Sequence, residues 1–351
     1  MTGPADTAPR RVLIVKPSSL GDVVTALPVL RGLKRTFPQA RVSWLLAESC
    51  APLLDGDGDL DEIILFHRHR LGKFWYSPGA LLALLALRRK LRTDRFDWAI
   101  DLQGLFRSGY FTAATRAPLR AGFADAREAA GAFYTRSIPV RALHTVERNI
   151  ELARQLGIDA RASDMTLRVA PAARQFVAEI HRQCGLAAGG YVVCAPPARW
   201  GSKRWPVRHW RTLLGRLARL CPVVLIGAPD ERALCEEIAA GAPPGVVDLA
   251  GQTSVPNLVA LIAESAGVIS CDSATKFIAS AVGVGCVTLI GPTRAEQTGP
   301  FPTGTAVVAT TPCQGCLQRR CRHVTCMELI EPARVLQAAR EMLDRRGTPG
   351  A

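Results

Sequence analysis

Between Tyr191 and Ile290 the chain alternates two kinds of hydrophobic pattern. Five short apolar runs, Tyr191 to Ala195, Val223 to Ile226, Val246 to Leu249, Val268 to Cys271 and Val287 to Ile290, are each bounded by turn residues. Runs of that length, rich in β-branched residues, read as strands covered on both faces. Between them, Val207 to Leu220, Asp230 to Ala240, Val255 to Ala263 and Ser273 to Val282 carry apolar residues at helical spacing. Strands joined by helices predict βαβ units and a parallel, doubly wound sheet. The first half repeats the pattern less regularly, with strands predicted at Val12 to Val15, Val42 to Leu46, Glu62 to Leu65 and Asp97 to Asp101 and a helix at His144 to Leu156. Gly157 to Ala172 is polar and non-periodic, and a helix at Pro171 to Cys184 opens the second half. The chain of 351 residues, 48% hydrophobic, has length and core for two domains. We expect residues 1–157 as the first, 158–172 as a linker, 173–330 as the second, and 331–351 as a C-terminal helical segment.

The charge balance bounds the partners. With 44 Lys and Arg against 30 Asp and Glu, the net charge is +14, which implies an anionic partner. Nucleic acid is disfavoured, because aromatics are only 6%, the basic residues are dispersed, and no nucleic-acid-binding signature is present. No apolar run reaches the ~20 residues of a membrane span. Gly79 to Leu87 is followed at once by Arg88, Arg89 and Lys90 and reads as a surface or core helix. The N-terminal MTGPADTAPRR has no signal-peptide core, so we expect a frayed tail and a cytoplasmic protein. Asp55 to Asp61, DGDGDLD, lacks the twelfth-position glutamate of a calcium loop and reads as a solvated turn.

In a parallel sheet the chemistry collects where strands end and loops begin. After Val15 and Lys16 the residues Pro17, Ser18, Ser19 and Gly21 make a turn, and from Asp22 the helical spacing starts. Asp22 is either a helix cap or a base presented at the strand's carboxyl end, and the two are compatible. Asp101 and Gln103 leave another strand in DLQG, where Asp101 is either a ligand contact or a cap for the next helix. His67 to Pro78, HRHRLGKFWYSP, interleaves basic groups with aromatics, either an anion-binding segment or a solvated loop. In PPARWGSKRWP, Lys203 and Arg204 precede a helix start at Pro206 or Val207, an arrangement suited to phosphate and otherwise a basic surface loop. Glu231 follows the next strand, placed for a ribose hydroxyl or for first-turn helix stabilisation. Seven of the eleven cysteines are scattered, several in strand-like runs where cysteine acts as a small hydrophobe. Cys313, Cys316, Cys321 and Cys326 are clustered. Their spacing admits a tetrahedral structural zinc or iron site with His323 as a substitute ligand, against free or redox thiols.

The run IVKPSSLGDVVTALPVLRGLK resembles the opening of the family 9 glycosyltransferases, the heptosyltransferases of lipopolysaccharide core synthesis, and most closely their type I branch. The resemblance extends through DLQG, SKRWP, GAPDER and GPTRAEQTGPF, over nearly the whole chain. It implies a GT-B architecture, two Rossmann-like domains facing across a cleft, with the C-terminal helix returning towards the first. It implies an inverting transfer of heptose from ADP-heptose to the Kdo-lipid A inner core without a catalytic metal or cofactor. The acceptor is then an anionic glycolipid at the inner face of the inner membrane. By motif match the resemblance makes Asp22 the general base and Lys203 the donor phosphate contact. Acceptor contacts fall on Ser19, Gly21, Arg68, Arg70, Lys73, Asp101, Gln103 and Arg127. Donor contacts fall on Glu231, Gln252, Thr253, Asp272, Ser273, Ala274 and Lys276. One segment departs from the family. CDSATKFIASAVG keeps Asp272 and Ser273 but has Ala274 for a glycine and Phe277 for a histidine, with Lys276 a new positive group. That leaves open another nucleotide-sugar donor, or a binding protein without activity.

Overall fold

The structure is a computed structural model that describes residues 8–67 and 75–346, with the side chain of the last residue excepted. Its contacts divide the chain into Met1–Met165 and Thr166–Ala351.

The first unit contains β1 (Arg11–Val15), α1 (Leu20–Thr25), α2 (Leu27–Thr36), β2 (Arg41–Ala47), β3 (Glu62–Phe66), α3 (Pro78–Thr93), β4 (Trp98–Asp101), α4 (Phe106–Ala114), β5 (Leu119–Phe123), β6 (Arg136–Ile138) and α5 (Thr145–Gln155). Its six strands lie in the order β3-β2-β1-β4-β5-β6, and every pairing is parallel. Val12, Leu13, Ile14 and Val15 are fully buried, as a central parallel strand covered on both faces requires. The order reverses between β1 and β4, and Val15 pairs with Asp101, so their carboxyl ends are level.

The second unit contains α6 (Pro171–Cys184), β7 (Val192–Ala195), α7 (Val207–Leu217), β8 (Val223–Leu225), α8 (Arg232–Ala239), β9 (Val246–Asp248), α9 (Val255–Ala263), β10 (Gly267–Cys271), α10 (Thr275–Ala281), β11 (Cys286–Ile290), α11 (Ala295–Thr298), β12 (Thr305–Val308), α12 (Thr325–Glu328) and α13 (Pro332–Arg346). Its sheet runs β12-β11-β10-β7-β8-β9, again wholly parallel. Counted from its own first strand this is the same connectivity as the first sheet, with the reversal between β7 and β10. Doubly wound sheets bind ligands at such reversals, where the two flanking loops diverge to opposite faces.

Several sequence expectations change. The single helix expected from Asp22 is two, broken at Ala26, because Pro28 has no N–H to continue the ladder. Asn149 Nδ2 of α5 donates to the Thr25 carbonyl at that break, at 2.9 Å. The Asp55 to Asp61 turn is tied down rather than simply solvated. Both guanidinium nitrogens of Arg31 reach Asp57 at 2.6 Å, and one also reaches Asp59 at 2.8 Å. Lys34 holds Asp61 at 2.6 Å. Strands β5, β6 and β12 were not legible, being short and interrupted by Arg, Gly or Thr. The N-terminal part of the expected linker packs on α2: Arg35 pairs with Asp164 and donates to the Asp159 carbonyl, and Gly32 lies so close to Ala160 that an added Cβ would sit 2.9 Å from its backbone. The C-terminal helix α13 is grouped with the second unit, where it packs on α7, β10, β11 and β12.

Buried cysteines keep the role expected of small hydrophobes. Burial pushes the Cys235 and Cys271 thiols up to about 12 and Cys286 to about 11. No helix among the described residues is long and apolar enough to cross a membrane.

Candidate functional site

Each unit gathers polar side chains at its own reversal of strand order. In the first, the loop after β1 turns through Lys16 to Ser19 into α1. Asp22 is the third residue of that helix and folds back on the turn. Its Oδ2 accepts from the Ser19 backbone N–H at 2.8 Å and from the Ser19 hydroxyl at 2.9 Å. Its Oδ1 lies 3.8 Å from the Lys16 ammonium, and the side chain is 39% exposed. One carboxylate oxygen thus does the capping, and the other faces a positive charge and solvent. Lys16 is held in place by a 2.6 Å bond to the Leu102 carbonyl, across the two level strand ends.

Asp101 is different. It is fully buried, with Oδ1 accepting from Gln103 N at 2.8 Å and Gly104 N at 3.1 Å, and Oδ2 accepting from the Tyr134 hydroxyl at 2.7 Å. Burial raises its pKa against the pull of those donors, and burial next to the carboxylate pushes the Tyr134 phenol up. The sealed carboxylate orders the DLQG loop, the local role that the sequence also offered for Asp101. Gln103 is part-buried, and its amide oxygen, itself buried, has no hydrogen-bond partner among the described residues. Arg127 is exposed, and its backbone N–H binds the Gly104 carbonyl at 2.9 Å, joining the loop after β5 to the loop after β4. Ser19 is part-buried and Gly21 buried in the turn. Arg68, Arg70 and Lys73 lie outside the described residues.

In the second unit the loops after β7, β10 and β11 meet at Asp272. Lys203 Nζ lies 2.7 Å from Asp272 Oδ2, and Thr293 donates to the same oxygen at 2.6 Å. The Lys276 ammonium takes Oδ1. Burial alone would raise the Asp272 pKa, but the two ammoniums outweigh it and bring it down to about 2. Lys276 is only 2% exposed; burial lowers its pKa against the opposing pull of Asp272. The Lys276 ammonium is enclosed on Asp272. Two lysines on one aspartate leave the cluster with a net positive charge. Its outward member is Lys203, part-buried with its ammonium 4.3 Å from the Trp200 ring centroid.

The remaining donor candidates line the same edge of the sheet. Glu231 Oε2 accepts from Ala228 N at 2.9 Å, so the capping role is filled by one oxygen. The loops after β8 and β9 touch where Gly251 N donates to the Gly227 carbonyl at 2.9 Å. Gly251 has φ +74, and a Cβ there would lie 3.3 Å from Pro229, so glycine suits the position on both counts. Gln252 is exposed and Thr253 part-buried beside it; Ser273 and Ala274 are part-buried at the start of α10.

The four clustered cysteines lie within electrostatic reach of one another: beside burial, Cys313, Cys316 and Cys321 push the Cys326 thiol up. Among the described residues no three His, Cys, Asp or Glu side chains are set as a metal site. The segment also braces the two loops that carry the lysine–aspartate cluster. Gln314 Nε2 donates to the Gly291 carbonyl at 3.0 Å, Leu317 N to the Pro292 carbonyl at 2.8 Å, and Ser202 Oγ to the Gln318 carbonyl at 2.7 Å. Sequence reasoning missed Lys16, Tyr134 and Thr293 as members of these clusters. Only Lys16, at a strand exit, had a local signal.

Comparison with known proteins places these arrangements. The model of glycosyltransferase family 9 (heptosyltransferase) matches residues 84–326. The lipopolysaccharide heptosyltransferase 1 of Salmonella typhimurium is 30% identical over 298 residues, 83% of this chain and 91% of that protein. A lipopolysaccharide heptosyltransferase 3 of Escherichia coli is 28% identical over 283 residues, 78% of this chain and 81% of its own. The structure of the E. coli heptosyltransferase WaaC with ADP superposes with a TM-score of 0.75 at 26% identity, covering 94% of this chain and 99% of that one.

Proposed function

Because the chain belongs to glycosyltransferase family 9 and has the two parallel α/β units of the GT-B fold, we propose that it transfers a heptose from ADP-heptose to the Kdo-lipid A inner core of lipopolysaccharide, with inversion. The observation that carries this reading is the placement of a part-exposed carboxylate, Asp22, and a net-positive lysine–aspartate cluster around Lys203, each at the strand-order reversal of its own sheet.

The chemistry follows from those groups. Asp22 takes the proton of the acceptor hydroxyl on Oδ1, the oxygen left unused by Ser19, and the acceptor oxygen then attacks the anomeric carbon. As that bond forms, the bond from the anomeric carbon to the diphosphate breaks, and ADP departs carrying the electron pair. Lys203 meets the charge that develops on the leaving diphosphate, and Asp272 with Thr293 holds the ammonium in position. The scheme places its positive charge on lysine, so transfer is expected to persist after chelation of divalent cations; loss of turnover in EDTA would require a metal in the mechanism. Gln103, part-buried in the loop that Asp101 orders, is an acceptor contact in this reading.

Lys203→Ala is expected to weaken binding of ADP and of the sugar nucleotide by about 10- to 100-fold, the worth of a hydrogen bond to a charged group at about 1.5–3 kcal/mol. Isothermal titration of both ligands checks it, and unchanged affinities would move the donor site elsewhere. One observation favours a second reading of the donor. Both oxygens of Asp272 are occupied, Oδ1 by Lys276, a positive group new to this motif, so a donor sugar here meets a carboxylate already paired with two ammoniums. A thermal-shift panel of nucleotide sugars separates the readings. A shift specific to ADP-heptose supports the proposal, a shift with another donor supports a changed sugar, and no shift at all overturns donor binding.

A further inference from the structure

Helix α3 turns one face to the core and leaves the other uncovered. Ala80, Leu87 and Leu91 are buried, with Ala83 and Leu84 packed beside them. On the opposite side Leu81, Leu82 and Leu85 are 43%, 66% and 47% exposed, followed along the helix by the exposed Arg88, Arg89 and Arg92. At about 100° per residue these six positions fall within an arc of about 120°, so they form one stripe, apolar at its N-terminal end and cationic at its C-terminal end. None of the three arginines has an ion pair among the described residues, whereas Lys90, on the flank, is held by Glu62 and Asp94. Immediately before the helix, Trp75 and Tyr76 are the two most exposed large hydrophobic side chains described, at 82% and 74%.

We propose that this stripe of α3, with Trp75 and Tyr76, is a docking surface for an anionic phospholipid bilayer. Leucines exposed beside unpaired arginines have the make-up of a helix that lies in a membrane interface, and Trp and Tyr favour the headgroup level. Self-association fits less well. Three leucines supply far less than the ~800 Å² per partner of a stable interface.

Full-length protein is tested by co-sedimentation with vesicles of phosphatidylethanolamine and phosphatidylglycerol, against vesicles of phosphatidylcholine alone. No donor or acceptor is present, so the outcome is independent of the transfer reading. Wild-type protein is expected on the anionic vesicles and not on the neutral ones. Leu82→Ser/Leu85→Ser and Arg88→Glu/Arg89→Glu/Arg92→Glu are each expected to weaken that binding about tenfold or more, since a single basic residue near an anionic surface contributes about fivefold. Both variants change exposed side chains only, and an unchanged thermal shift with ADP verifies that they are folded. Failure of the wild type to bind, or full retention in both variants, overturns the assignment. So does a concentration-dependent dimer that the leucine variant abolishes, which would give the face to a second copy of the chain.

Discussion

Asp22→Asn is expected to lower kcat by about 10²- to 10⁴-fold, the usual worth of a positioned general base, while leaving ADP affinity unchanged. The substitution separates the two tasks of this side chain. The amide oxygen of asparagine can still accept from the Ser19 N–H and hydroxyl, so the turn into α1 keeps its cap, and a loss of stability beyond about 1 kcal/mol is not expected. What asparagine cannot do is take a proton. Asp22 Oδ1 is the carboxylate oxygen free for that task, 3.8 Å from the Lys16 ammonium. Steady-state rates with donor and acceptor, alongside ADP titration and thermal melting, check the three parts together. Near-normal turnover in a folded variant would remove Asp22 as the base.

Asp272→Ala is expected to destabilise the second unit by about 3–5 kcal/mol, because it leaves a buried charge without its partner. Lys276 is enclosed, and its ammonium has no other carboxylate to turn to among the ion pairs described. Adding Lys276→Met to Asp272→Ala should recover much of the loss, since the uncompensated charge is then gone; a double variant as unstable as the single would show that packing, not charge, dominates. The pH dependence has a definite sign. Asp272 sits at about 2 in the folded state, below the unfolded value of about 3.9, so its contribution is present above pH ~4 and is lost as the pH falls towards 2. Lys276 moves in the opposite sense: its folded pKa lies below the unfolded one, so its burial in charged form costs stability at neutral pH, and that cost eases as the pH rises. Urea titrations from pH 7 down to pH 3 should therefore lose stability in the wild type, and lose less of it in the Asp272→Ala/Lys276→Met variant.

Much of the site was readable locally. Lys276 stands four residues after Asp272, a spacing that puts an ion pair on one helical turn. Asp22 was legible as both cap and candidate base, because a turn of Pro, Ser and Gly followed by helical periodicity marks a helix start whatever the rest of the chain does. The clustered cysteines were legible as a group from their spacing; that the segment between them is drawn onto the loops at Ser202 and Gly291 through its backbone and Gln314 was not.

The α/β class, most of the strands, and which loops carry charge were legible along the chain, because burial on both faces and helical periodicity are written into runs of four to twelve neighbouring residues. Which of those charges remain available was not. Asp101 is closed off by Tyr134, which lies 33 residues further along the chain. Asp57 is taken by Arg31, 26 residues before it. Lys203 is brought to Asp272 because β7 and β10 are neighbours in the sheet although far apart in sequence. Whether a polar side chain meets solvent, a ligand or a buried partner depends on contacts between distant segments, and those exist only once the strand order is set.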